Sequence, residues 1–430
     1  MNAPRRVPPE APARRGWCPS LARPMPTGDG LLARIHPPLG RLTPDRARAV
    51  AAGARRYGNG HIDVTARANL QVRGVTDATR CGLADALAAV GLGDVRADGG
   101  PQRLTLTTPL AGLEAGLVDV PALAHTIEAI GLAVPRLPPK TLVAVEAASP
   151  GIRLGSAEAD IHLVASTEEL TLHLAGDETW WQVPGADRST VVAAALRLLA
   201  ESGQRRMRDL RVDARADLGS LGLRPATPPV EASAPRPGLQ LLSDARVALL
   251  VEAPFGRCTA DALDILADAA DALGPETFRL TPTRGFLLVA PDRQAADAAR
   301  QILADAGFLT RDDDPRGAIA ACPGAPACAS GSTPTLTDAA RLAEAFRPFA
   351  ARGLRAHVSG CPKGCAHPAA ADLTLVGRNG DYDVVLEGRP DALPAMRLPF
   401  EAALERVRSA DSGASLAQIF SERPSGPPTS

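Results

Sequence analysis

What this sequence lacks first is an excess of charge. Its 47 Lys and Arg stand against 48 Asp and Glu, a formal balance of −1. A nucleic-acid or polyanion binder draws most of its affinity from surplus positive charge, so that class is disfavoured. Long apolar runs are missing too. The most hydrophobic stretches, such as 191–200, are short and carry Arg197, whereas a membrane span needs ~20 mostly apolar residues. Residues 1–16 are rich in Pro, Ala and Arg and hold no apolar signal-peptide segment. No G-x-G-x-x-G follows an expected strand, so there is no sign of a nicotinamide or flavin domain. Seven cysteines in 430 residues is an odd number and does not suit a disulfide scaffold. These exclusions predict a cytoplasmic protein whose grouped thiols serve metal or redox chemistry. Tails are expected at 1–15 and 411–430.

What is present is an internal repeat. Gly40-Arg41-Leu42-Thr43 recurs as Gly256-Arg257-Cys258-Thr259, an offset of 216 residues. The same offset sets Asp45 on Asp261, Gly58 on Gly274, Thr65 on Thr281 and Gly91 on Gly307, and aligns Ile35 with Val251 and Leu87 with Leu303. One register that keeps both identities and hydrophobic pattern predicts a duplication. Each copy reads as strand, helix, strand, helix. The first runs 31–35, 43–56 with Thr43 as N-cap, 61–75 and 77–90; the second runs 247–252, 259–273, 278–289 and 293–306. The expected class is α+β: half-domains of ferredoxin-like type at 16–98 and 239–312, pairing into one domain. An α/β lobe follows each, at 99–224 and 313–410, and a Pro-rich linker covers 225–238.

Four cysteines fall in two close pairs, Cys322-x5-Cys328 and Cys361-x3-Cys365, among Gly, Pro, Ala and Ser. Four thiolates can hold a [4Fe–4S] cluster, one per iron. Small neighbours let the backbone wrap it. Structural zinc, the main rival, usually uses C-x2-C or C-x4-C spacing. Four unrelated buried thiols would not gather as two pairs in one lobe. Of the others, Cys81 and Cys258 read as core thiols, and Cys18, before Pro19, is open. His357 and His367 flank the second pair. They suit either a place behind the ligands or at the surface, or ligation of a mononuclear iron. Trp180-Trp181 reads as packing.

The spacing of Thr65, Arg67, Asn69, Gln71 and Arg73 places them on one face of a strand, with Arg34 and His36 alternating likewise on the strand before. A solvated face could look like this. The second copy carries Thr281, Thr283, Gly285, Leu287 and Val289 there instead. A polar set kept in one copy only favours a site, and arginines suit a ligand with many carboxylates.

The C-x5-C and C-x3-C pairs, with 372–377 (Asp-Leu-Thr-Leu-Val-Gly) after them, resemble the cluster motif of the sulfite and nitrite reductase family. Within it, three segments resemble the precorrin-3B synthase branch: 16–32, 63–74 and His357-Val358-Ser359-Gly360. The resemblance implies a duplicated reductase-like fold and a [4Fe–4S] cluster on Cys322, Cys328, Cys361 and Cys365. It implies a tetrapyrrole pocket to which Arg34, His36, Arg67, Asn69, Gln71, Arg73, Arg103 and Lys140 contribute. Arg67 matches the reductases' T-x-R arginine, Gln71 the glutamine after it, Arg103 the arginine opening the next segment, and Lys140 the first lysine of P-R-K-F-K. The second lysine of that motif is Leu142 here, a strand arginine is His36, and the asparagine of the C-x3-C loop is Lys363. Losing two cations that would handle an oxyanion weakens a sulfite or nitrite reductase reading. For this branch the resemblance implies precorrin-3A and O2 as substrates, with a mononuclear non-haem iron left open. Reductant such as NAD(P)H would arrive through a separate electron-donor protein. Protonated His36 would contact a carboxylate.

Overall fold

The computed structural model describes residues 17–113, 118–148, 154, 158–183, 188–211, 222–229, 235–274, 278–411 and 413–421. The first half-domain opens with the hairpin β1 (Met25–Thr27) and β2 (Gly30–Ile35). β3 (Arg41–Leu42) leads into α1 (Pro44–Tyr57), where the Thr43 hydroxyl accepts from the Arg46 N–H at 3.2 Å. β4 (His61–Val64), β5 (Leu70–Val75) and α2 (Arg80–Ala88) follow. The single strand expected over 61–75 is therefore two. The Thr65 hydroxyl accepts from the Arg67 and Asn69 N–H groups at 3.3 and 3.1 Å, and Ala68 takes φ 50°. That is a tight turn built on side-chain-to-backbone bonds, which leave no mark on hydrophobic periodicity.

The first lobe comprises β6 (Thr105–Thr107), α3 (Val120–Ala133), β7 (Val143–Ala147), β8 (Ile161–Ala165), β9 (Leu170–Leu174), β10 (Trp180–Val183), α4 (Arg188–Glu201) and β11 (Arg224–Ala226). The second half-domain repeats the first: β12 (Gly238–Leu241), β13 (Val247–Glu252), β14 (Arg257–Thr259), α5 (Ala260–Leu273), β15 (Phe278–Thr281), β16 (Gly285–Ala290) and α6 (Arg293–Asp305). Its expected strand at 278–289 also breaks: Thr281 accepts from the Gly285 N–H at 3.1 Å, and Arg284 has φ 66°. The second lobe holds β17 (Ile319–Ala321), α7 (Thr335–Ala351), β18 (Ala356–Ser359), β19 (Ala371–Arg378), β20 (Asp381–Gly388), β21 (Met396–Leu398), α8 (Phe400–Arg408) and α9 (Leu416–Ser421).

The described strands form four sheets. The half-domain sheets run β1-β2-β5-β4-β14 and β12-β13-β16-β15-β3. Each half thus lends a short strand to the other: β3 pairs with β15, and β14 with β4. The pairing of the halves is a strand exchange over one shared core. Leu42, Val50, Ile62 and Val72 from one half meet Leu263, Leu266, Phe278 and Phe286 from the other. On α5, Leu263, Leu266, Ala267 and Ala270 keep helical spacing, while Arg48 and Arg55 of α1 pair with Asp268, Asp271, Asp261 and Asp264 across the exposed edge. The lobe sheets are mixed, with β6-β7-β8 and β17-β18-β19 parallel.

Two boundaries change. Arg224–Ala226 pair with β10, so the start of the expected linker is a strand; residues 230–234 of it lie outside the described set, as do 1–16 and 422–430. The expected tail from 411 contains α9, whose Leu416, Ile419 and Phe420 are buried in the second-lobe core. Cys81, expected in the core, is exposed, whereas Cys258 is buried, and burial pushes its thiol up to about 12. Among the described residues no helix is long and apolar enough to cross a membrane.

Candidate functional site

A cavity of about 340 Å³ lies against β2 and the β4–β5 turn, lined by Arg34, His36, Arg67, Asn69 and Arg103 of the residues expected there. Small-molecule pockets span roughly 300–1,000 Å³. The β4–β5 turn sets Arg67 beside the C-terminal end of β2. Pro139 and Leu142 form one wall, and the segment 17–23 forms another. That segment is strapped down by Asp94, which accepts from the Leu21 and Ala22 N–H groups at 3.2 and 2.8 Å. It brings Cys18, left open above, into the cavity, where its thiol meets Arg34.

The electrostatics of the cavity are unbalanced. Arg34 is bonded to Gln71, whose amide oxygen, turned toward it, accepts from Nε and Nη2 at 2.9 and 2.6 Å. Arg67 donates from Nη1 to the Lys140 carbonyl at 2.9 Å. Arg103 donates to the carbonyls of Thr105, Pro37 and Ala68 at 3.2, 3.2 and 2.8 Å and to that of Arg67. These hydrogen-bond partners are neutral. Burial lowers the pKa of all three guanidinium groups, Arg103 to about 10, with Arg67 adding to its shift. Arg96 also lines the cavity but is paired with Asp98 at 2.5 Å. Three crowded cations hydrogen-bonded to neutral groups, with Asp160 and Glu128 reaching Arg67 and Arg103 only through their charge, suit a ligand that brings negative charge. Two polar atoms are also orphaned: Asn69 Oδ1, on a side chain 5% exposed, and His36 Nδ1. Buried polar atoms without partners are uncommon and mark places where a ligand or water completes the bonding.

Other expected contacts land elsewhere. Burial, with Arg34 and Arg103 beside it, holds His36 well below the ordinary histidine range. It lines the cavity as neutral imidazole. Gln71 orients Arg34 instead of lining the cavity. The Lys140 side chain is exposed and outside the lining; its carbonyl, not its ammonium, serves the site by holding Arg67. Arg103 is 9% exposed, and its bonds to four carbonyls make it a clamp on the cavity floor as well as a charge. Arg73 is only 3% exposed and is consumed by Asp29, Asp63 and the Ala327 carbonyl. The period-two pattern placed it on the ligand face because it does not reveal which acids fold beside it. The Asp29 partner lay in the conspicuous Gly28-Asp29-Gly30 segment.

The cysteine pairs emerge from the C-terminal ends of adjacent parallel strands, β17 before Cys322 and β18 before Cys361. Cys322 is buried, Cys328 and Cys361 are half-buried, and Cys365 is exposed. The Gly360 N–H donates to Cys322 Sγ at 3.2 Å. Burial, then Cys365, Cys328 and Cys322, push the Cys361 thiol up, so the other three cysteines lie near enough to act on it. Glycine makes this packing feasible: a Cβ on Gly360 would lie 3.2 Å from both Gly324 and Gly331 Cα and 3.6 Å from Cys322 Sγ. Among the described residues, no three His, Cys, Asp or Glu side chains converge as a single-ion site. A cubane asks instead for four thiolates spread around its volume. The donor set, the sulfur-directed N–H and the glycine cradle fit such a cluster. The His357 and His367 rings stand edge to face at 5.9 Å, and among the described residues no third His, Cys, Asp or Glu joins them as a single-ion site. His357 is fully buried with both ring nitrogens unpartnered. Trp180 stacks on His173 at 5.0 Å, and Trp181 packs on the first-lobe core.

Comparison with known proteins agrees with the duplicated fold. The family model described as the Nitrite/Sulfite reductase ferredoxin-like half domain matches residues 23–90 and 243–306, one in each half. The chain is 35% identical over 401 residues to a precorrin-3B synthase from Sinorhizobium sp, covering 90% of this chain and 85% of that protein. It is 28% identical over 417 residues to the ferredoxin–nitrite reductase of Synechococcus elongatus, covering 85% and 79%. The solved structure of the Mycobacterium tuberculosis NirA protein superposes with a TM-score of 0.64 at 19% identity, over 90% of this chain and 83% of that one, which bears on the fold alone.

Proposed function

The chain belongs to the precorrin-3B synthase family, and from that membership we propose that it hydroxylates precorrin-3A at C20, with γ-lactone formation from the ring A acetate, in O2-dependent cobalamin synthesis. The observation that carries the reading is the cavity in which Arg34, Arg67 and Arg103 crowd together on neutral partners. A macrocycle bearing many carboxylates supplies the charge those guanidiniums lack. Neutral His36 and apolar Leu142 stand where the reductase resemblance would put a second arginine and a second lysine. That corner therefore offers no extra cation to a small oxyanion, which favours a synthase over a sulfite or nitrite reductase.

The residues divide the work. Arg34, aimed by Gln71, and Arg67, aimed by the Lys140 carbonyl, bind and orient carboxylates. Arg103 sets the cavity floor, and the strap at 17–23 excludes water from one side. His36 Nδ1 and Asn69 Oδ1 are the uncommitted polar atoms that can bond the macrocycle. Hydroxylation sends one oxygen atom of O2 into the substrate and the other to water, consuming two electrons and two protons from an external reductant. A [4Fe–4S] cluster on Cys322, Cys328, Cys361 and Cys365 supplies one-electron transfer when bound. The electrons come from a separate donor, such as a protein oxidising NAD(P)H. Anaerobic purification with iron, sulfide and absorption analysis tests this. Iron–sulfur absorption without sirohaem bands supports the synthase; stoichiometric sirohaem would support the reductase instead.

A further inference from the structure

We infer that Arg73 and Arg284 are positioning residues for the cluster: each half-domain sends one guanidinium to pin one cysteine loop beside a ligand residue. The inference rests on the reading that the four cysteines hold a [4Fe–4S] cluster.

Arg73, on β5, donates from Nη2 to the Ala327 carbonyl at 2.5 Å, and Ala327 immediately precedes Cys328. The same carbonyl accepts from the Gly28 N–H at 3.1 Å. The contact is close enough that a Cβ on Gly28 would sit 2.1 Å from the Pro326 oxygen. Arg73 is itself held, with Nε and Nη2 on Asp29 at 2.9 and 2.7 Å and Nη1 on Asp63 at 3.2 Å. Asp29 is partly buried, which raises its pKa, yet the Arg73 bonds bring it below the usual carboxylate range. On the other side, Arg284 in the β15–β16 turn donates from Nη2 to the Ala366 carbonyl at 2.7 Å, and Ala366 immediately follows Cys365. Gly256 makes room for it, since a Cβ there would meet Arg284 Cδ at 2.8 Å. Asp63 joins the two systems. It accepts from Arg73 and, at 2.6 Å, from Arg257 of the exchanged strand β14, and its charge reaches Arg284, which also feels Cys322 and Cys365.

The duplication sharpens the point. At the offset of 216 residues, Arg73 corresponds to Val289 and Arg284 to Ala68. Neither arginine has a counterpart in the other copy, yet the two converge on one lobe and on its two cysteine loops. Those loops lack regular structure across their ligand residues and need outside anchors to hold thiolates in place. A fixed cation near the sulfurs also favours the more negative, reduced state of a cluster.

The test uses the full chain with Arg73→Gln, Arg284→Gln and the lysine variant of each. In cluster-free protein, amide hydrogen exchange should speed up over 322–332 for Arg73→Gln and over 361–370 for Arg284→Gln, each leaving the other loop unchanged. In cluster-loaded protein, both glutamine variants should shift the midpoint to lower potential, and the lysines should recover most of that shift without restoring loop protection. If Arg73→Gln fails to fold, Asp29→Asn, which releases the guanidinium from one carboxylate, should loosen the same loop. Wild-type exchange in both loops together with an unchanged potential overturns the inference. A wild-type protein that takes up no iron–sulfur cluster refutes the underlying reading instead, while the exchange data still judge the two anchors.

Discussion

Arg67→Ala isolates the carboxylate-binding role of the cavity. Arg67 makes a bond to the Lys140 carbonyl and otherwise faces the cavity with Arg34 and Arg103 nearby. A charge-assisted bond from a guanidinium to a carboxylate contributes about 1.5–3 kcal/mol, which converts to a Kd roughly 10- to 150-fold weaker. The fold should barely notice. One bond to a backbone carbonyl is lost, offset by relief of the repulsion on Arg103, whose pKa Arg67 depresses. Titration with an octacarboxylate porphyrin, followed by fluorescence at low ionic strength, reads the affinity. Repetition at high salt should narrow the gap between wild type and variant. An affinity within twofold of wild type, in a protein with unchanged melting and iron content, would refute the placement of the substrate here.

Three further outcomes follow from the same geometry. His36 is held neutral by burial and by Arg34 and Arg103, so His36→Gln should leave the pH profile of porphyrin binding between about pH 6 and 8 unchanged; wild-type binding that tightens below about pH 6.5 and is flattened by the variant would mean that the imidazole protonates. Arg103→Leu strands buried carbonyls of Pro37, Ala68 and Arg67 and should cost ~3 kcal/mol or more in denaturant unfolding, since each buried acceptor left alone costs ~1–3 kcal/mol; a loss under ~1 kcal/mol would remove its clamping role. Glu252 is pushed up to about 7 by burial, against Thr283, Arg355 and Arg284. Its folded pKa exceeds the unfolded value, so its contribution is fully present below about pH 4.5 and is lost as pH rises through about 7. Glu252→Gln should flatten that decline, and an identical slope in wild type and variant would contradict it.

Much of this architecture was legible in the sequence because it repeats or is periodic. The offset of 216 residues exposed the two half-domains, and the Cys322/Cys328 and Cys361/Cys365 spacings marked the two loops that follow the adjacent strands β17 and β18. The strand exchange was not legible: β3 and β14 are two and three residues long, too short for any period, and their partners lie some two hundred residues away. Arg73 and Arg67 share one period-two pattern, yet one is sealed by Asp29 and Asp63 while the other faces the cavity. Side-chain alternation assigns a face but does not show which partners reach it. Lys140 carried the charge that suggested a role, but its backbone carbonyl performs one. Cys18 gave no signal of its own, because the Asp94 strap that carries it into the cavity is a contact distant in sequence.

The most direct test of the central claim is turnover of precorrin-3A by the cluster-loaded protein under 18O-labelled O2 with a chemical reductant, read by mass spectrometry. The account predicts a hydroxylated lactone carrying one labelled oxygen atom, formed by wild type and strongly diminished in Arg67→Ala. Stoichiometric binding of precorrin-3A with no labelled product would contradict it and leave a tetrapyrrole-binding redox protein in place of a synthase.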